Sequence, residues 1–238
     1  MHQDTYEDFV RRMGEERRRL GWTQEEFARK LQITQSHYSK LELWKGRLSY
    51  YEMKRLCESE VDSFFIFTGF RTGEVRRLPE GFFKGYGYEE LVDCLELVCV
   101  LLRQEREREL LIREGKRLLT YSTYALLQGE KGKNVFRRYR RLREDNQNEI
   151  AKELGVDVKK LRDLENEKQL PDSELVWKMS NRFQIPYALI LKDRKGIIGE
   201  IYHLLQLADE KQQQRIVETV IQFHKEKDGS KKGTDSGS

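Results

Sequence analysis

Four side chains within one short stretch, TQSHYSKLEL (34–43), carry hydrogen-bonding chemistry without any catalytic arrangement: Gln35, Ser36, Ser39 and Lys40. In a helix beginning after Thr34, Tyr38 and Leu41 share the face that turns to a core, and these four take the opposite one. Amide, hydroxyl and ammonium groups in a row near a helix N-terminus are suited to the edges of base pairs in a DNA major groove. Groups suited to phosphate stand around them. Gln24 opens the preceding helix, where free backbone amides favour an anion, and His37, Lys45 and Arg47 are further candidates.

No residue pattern points to a reaction. The four histidines, His2, His37, His203 and His224, are scattered, with no acid or nucleophile at a usable spacing. GEKGKN (129–134) lacks the Gly-x4-Gly-Lys-Ser/Thr spacing of a phosphate loop and reads as a flexible basic loop. GYGY (85–88) is no dinucleotide fingerprint. Cys57, Cys94 and Cys99 have neither metal-ligand spacing nor the even count of a disulfide framework, so the expectation is reduced thiols in a cytoplasmic protein without metal or cofactor. The N-terminus carries acids before any apolar run, unlike a signal peptide. The longest apolar run, around Leu95–Leu102, falls far short of the roughly 20 residues of a membrane span.

The elements that must position the polar row are readable from their caps. Thr23 and Glu26 form a capping box, and Phe27, Ala28 and Leu31 give the helix after it one apolar face. Gln32 and Ile33 break the period, and Thr34 can cap the next helix. TQEEFARKL, a corner ending in Ile33, then TQSHYSKLE together resemble the helix-turn-helix of the Cro/cI (XRE) repressor family. The resemblance implies a five-helix, lambda-repressor-like domain whose second motif helix enters the major groove. It also implies an Arg four residues before the Gly that closes the first helix, and Arg17 and Gly21 stand there. Thr5 with Asp8 caps that first helix, Ser49 with Glu52 caps a fourth, and SFFIF (63–67) supplies the last core helix. Three departures put the loop geometry in question: the family's Gly at Gln32, its Gly two residues after Glu42 and its Pro near Leu48 are all missing.

The motif recurs. Adding 123 to each number takes Gln24 to Gln147, Glu26 to Glu149, Ala28 to Ala151, Leu31 to Leu154, Leu41 to Leu164 and Glu42 to Glu165. The second copy, NEIAKELGVDVKKLRDLENEKQLPD (148–172), regains Gly155 at the corner and Pro171 after the reading helix. Its groove-facing positions are Val158, Lys159, Arg162 and Asp163, and Gln147, Lys159, Lys160 and Arg162 are its candidates for DNA contact. The link between its first two helices reads as about three residues shorter than in the first copy. KGKNVFRRYRRLR (131–143) carries seven basic residues, an expected source of sequence-independent phosphate attraction.

These features predict an all-α chain. The expected order is an N-terminal module (1–70), a linker and long connector helix (71–130), a second, diverged module (131–195), a C-terminal helical hairpin (196–227) and a disordered tail (228–238). Net charge is +2 over 1–78, −3 over 79–130, +6 over 131–195 and −1 beyond, which suits two nucleic-acid-facing modules and an acidic connector. The apolar stripe of the connector, Leu91 to Leu102, needs covering, and both its own chain and a twin are expected to cover it. The reading is a sequence-specific DNA-binding regulator, repressor-like, acting on double-stranded DNA as a homodimer. If the first modules pair across a two-fold axis, half-sites lie roughly 34 Å apart; four modules per dimer also allow a longer operator, and pairing within one chain or between two is left open. The alternatives are a protein-binding or antitoxin-like adaptor, and a regulator that senses a peptide or small effector at the connector.

Overall fold

Cap residues set where each helix starts. Thr5, Thr23 and Ser49 each accept from the amide three residues on, and Asp8, Glu26 and Glu52 return the bond to the cap's own amide. Thr34 caps without a reciprocal partner. A computed structural model describes residues 5–71, 78, 81–105, 134–183 and 185–234. All regular structure among them is helical. The first module comprises α1 (Tyr6–Arg19), α2 (Gln24–Leu31), α3 (Gln35–Glu42), α4 (Tyr50–Glu58) and α5 (Ser63–Thr68). After α6 (Tyr88–Glu105), the second comprises α7 (Val135–Leu142), α8 (Gln147–Leu154), α9 (Val158–Glu165), α10 (Ser173–Arg182) and α11 (Tyr187–Leu191). Helices α12 (Arg194–Leu207) and α13 (Glu210–Thr234) complete the chain. The all-α, two-module architecture expected from the sequence is therefore present.

The repeat is more regular than its residues suggest. Left-handed backbone follows α1, α2, α3 and α5 at Gly21, Gln32, Trp44 and Gly69, with φ of 71°, 56°, 62° and 79°. Adding 123 gives Glu144, Gly155, Glu167 and Lys192, with φ of 60°, 68°, 57° and 50°. The missing glycines at Gln32 and Trp44 thus leave the loops unchanged, because the surrounding packing imposes a conformation that glycine adopts most readily. The expected shortening of the first link in the second copy is wrong. Leu20 and Arg143, 123 apart, are both C-caps, and Glu144 takes the left-handed turn that Gly21 takes in the first copy.

The modules pack directly against each other within one chain. Helix α4 packs on α11, and its counterpart α10 packs on α5, the counterpart of α11. Such an exchange of equivalent partners is the signature of a two-fold-like, isologous interface. Polar groups stitch the seam. Leu48 N–H donates to Ser173 Oγ (2.9 Å) and Leu48 C=O accepts from Ser173 N–H (2.9 Å). Lys54 Nζ donates to the carbonyl of Leu191 (2.9 Å), and Lys195 Nζ to that of Ser59 (2.5 Å). At the centre the rings of Phe67 and Tyr187 stack at 4.1 Å.

Helix α12 lies across the pair, against both α5 and α11. Its Gly196 and Gly199 face Tyr187 and Phe64, two residues that are themselves 123 apart. A Cβ at either glycine would lie within 2.4–2.7 Å of those side chains, so only glycine allows the approach. On its other side α12 packs against α6, which α13 also covers. Leu91, Cys94, Leu95 and Val98 of α6 are buried there, so the connector's stripe is covered by its own chain. The aromatic segment before α6 docks as well: Phe83 meets the Tyr202 ring at 5.9 Å, and Tyr88 Oη donates to the Ala188 carbonyl (3.5 Å). The rest of the connector expected over 71–130 lies, from 106 on, outside the described residues. Helix α13 continues to Thr234, through most of the segment expected to be a disordered tail.

Candidate nucleic-acid interface

Beneath the polar row lies a carboxylate that gathers its neighbours. Glu42, at the end of α3, accepts from Arg17 Nε (3.0 Å), Tyr38 Oη (2.9 Å) and Gln24 Nε2 (2.5 Å). Arg17 also donates to the Trp22 carbonyl (2.8 Å), tying α1 to the link before α2. Burial alone would raise the Glu42 carboxyl, but these three donors outweigh it and hold the group below the ordinary range. Burial, together with the adjacent Glu42, pushes the Tyr38 phenol well above its usual value, so it remains a donor.

The network reaches the surface through Gln24, whose Oε1 accepts from Gln35 Nε2 (3.1 Å). Gln35 is exposed, with Ser36 and Lys40, while Ser39 is half-buried on the same helix. A line of hydrogen bonds from Arg17 through Glu42 and Gln24 therefore fixes the Gln35 amide before any ligand arrives. Its carbonyl oxygen and second N–H are the groups with which a glutamine pairs bidentately with adenine.

The remaining phosphate candidates are differently placed. Gln24 already spends an N–H on Glu42. Lys45 is exposed, in the turn after α3. His37 is half-buried, its Nδ1 3.9 Å from Glu52. Arg47 turns to the other module and pairs with Glu174 on α10, so a phosphate would have to compete with that carboxylate. Trp44, unremarked as a surface group in the sequence, is 61% exposed beside Leu43 at the end of α3.

The second module repeats the network and stops short of the surface. Glu165 accepts from Arg140 Nε (2.5 Å) and Nη2 (3.0 Å) and from Gln147 Nε2 (2.9 Å). Burial opposes its ionisation, and the donors, Arg140 foremost, lower its pKa nonetheless. Arg140 is Arg17 plus 123, an equivalence the apparent difference in link length concealed. At the next place outward Val158 replaces Gln35, so the line ends at Gln147. Lys159 and Arg162 are exposed, and Lys160, half-buried, lies 3.8 Å from Asp172. The basic run of 131–143 is largely structural where it is described. Arg137 bonds Asn166, Arg140 bonds Glu165, and Arg143 bonds Glu153 through both terminal nitrogens (2.7 and 2.8 Å).

A family model described as helix-turn-helix matches residues 13–58 and 136–190. The chain carries two helix-turn-helix modules of the Cro/cI (XRE) type. No curated protein and no solved structure matches the chain. The helix-turn-helix match runs from within α1 to the end of α4 and from α7 into α11, so both Glu-centred networks lie inside it. This helix-turn-helix family is one of DNA-binding regulators and not of enzymes. Among the described residues no cluster of His, Cys, Asp or Glu is arranged to hold a metal, and no helix is long and apolar enough to cross a membrane.

Proposed function

We propose that this chain is a sequence-specific DNA-binding transcriptional regulator, repressor-like, that reads the major groove with α3. The observation that carries the reading is the line from Arg17 through Glu42 and Gln24 to Gln35. It commits a charged pair and one amide to orienting a second, exposed amide at a helix N-terminus, which a purely structural hairpin has no need of. Gln35, Ser36 and Lys40 read base edges, Ser39 adds a shorter contact, and Lys45 with the N-terminus of α2 at Gln24 meets phosphate. The protein works in the cytoplasm, where Cys57, Cys94 and Cys99, all buried, stay reduced.

The test is selection from a random duplex pool with the intact protein, run in parallel with Gln35→Ala and Lys40→Ala. Enrichment of a defined motif by the parent, weakened or altered by each variant, supports the reading. An unenriched pool contradicts it and redirects attention to a protein partner.

A further inference from the structure

We infer that one chain is the complete reading unit and that its target is an asymmetric, bipartite DNA site. One half is read by α3 and the other by the differently equipped α9. This rests on the DNA-binding reading above and goes beyond it in naming the architecture of the ligand.

The pairing carries the first half of the argument. The two modules pair through equivalent faces, α4 and α5 of the first against α11 and α10 of the second, so these faces are occupied within one chain. The seam is bonded, not merely touching. Ser63 Oγ donates to Asp193 Oδ2 (3.0 Å), as does Tyr187 Oη (3.0 Å), and all three residues are buried. Helix α12 then clamps the equivalent residues Phe64 and Tyr187 through its two glycines. The modules are thus held in one fixed relation, and a two-fold-like relation that superposes the modules also carries α3 onto α9. Two recognition helices so related address major-groove segments about one helical turn apart.

The reading faces carry the second half. The scaffold under α9 keeps the carboxylate and two of its three donors, Glu165, Arg140 and Gln147 matching Glu42, Arg17 and Gln24, while Leu161 stands where Tyr38 donates. The groove-facing row on top of it is changed at every position. Val158 stands for Gln35, Lys159 for Ser36, Arg162 for Ser39 and Asp163 for Lys40. An amide that suits adenine is replaced by methyl groups that suit the thymine methyl, and a serine hydroxyl by a guanidinium that suits guanine O6 and N7. A pair of modules with unlike faces cannot favour two like half-sites.

The experiment measures the mass of the complex between the full chain and its selected duplex, alongside the form of the selected motif. The expected result is one chain per duplex and two unlike half-motifs in fixed order and spacing. Gln35→Ala should then weaken binding about 5- to 150-fold and blur one half only, and Arg162→Ala should do the same to the other half. Both positions are exposed, so circular dichroism should show parent-like folding. An inverted repeat bound by two chains overturns the inference while leaving the DNA-binding reading intact. So does a motif with a single half that is indifferent to Arg162→Ala. A pool without any enrichment removes the DNA-binding reading, and this inference falls with it.

Discussion

Glu42 is the residue on which the account turns at the smallest scale, because it converts buried geometry into the pose of an exposed amide. Its three donors come from α1, α2 and α3, so a single carboxylate registers the whole motif. Tyr38→Phe removes one charge-assisted bond without changing the ring's packing and should cost about 1.5–3 kcal/mol, measurable by urea unfolding. The same chemistry sets an acid limit. Glu16, Glu42 and Glu165 all have folded pKa values below the ordinary one: burial opposes ionisation in each, and bonds from Arg19, the Asp62 amide, Arg17, Gln24, Arg140 and their neighbours overcome it. Their stabilisation is complete above the unfolded value of about 4.3 and is lost as pH falls through the lower folded values. Unfolding free energy should therefore be flat near neutrality and decline from about pH 4.5 downward, and Glu42→Gln should shallow that decline.

The elements were legible in the sequence wherever a cap or a period marked them. Thr5, Thr23, Thr34 and Ser49 all cap the helices assigned to them, because a side-chain oxygen before an amphipathic run has one evident use. Two features were hidden for physical reasons. Arg140 was read as one of seven phosphate-attracting cations, since a sequence shows its charge and not Glu165, which takes it up 25 positions later. The first link of the second copy looked short because Glu144 holds a left-handed turn without the glycine that usually announces it. Nor does anything in GIIGEIYHLL (196–205) tell that its glycines serve a close approach. The structure supplies that, and it makes a prediction at this scale. Gly199→Ala drives a methyl into the Phe64 ring and should destabilise the chain by about 1–3 kcal/mol, read as a lower urea midpoint.

At the scale of the whole molecule, the sequence placed a long connector between the modules and left open whether they pair within one chain or between two. They pair within one, and the connector helix α6 packs into a helical layer with α12 and α13. The seam escaped the sequence because it is made of lysines bonded to carbonyls and of Ser173 bonded to a backbone amide, groups that look like ordinary surface polar residues. A seam of this kind couples the modules energetically. The chain should unfold in one cooperative transition, with tryptophan fluorescence and circular dichroism coinciding, whereas modules on a flexible tether would separate into two steps.

The most direct test of the reading face is affinity measured base pair by base pair. The selected duplex would be varied at each position and bound by the parent protein and by Gln35→Ala. If Gln35 reads a base edge, the variant loses discrimination at one or two adjacent base pairs, by about 1–3 kcal/mol, and keeps it elsewhere. If affinity instead falls equally for every duplex, Gln35 touches only the backbone, and the claim that α3 reads sequence through the Glu42 network is wrong.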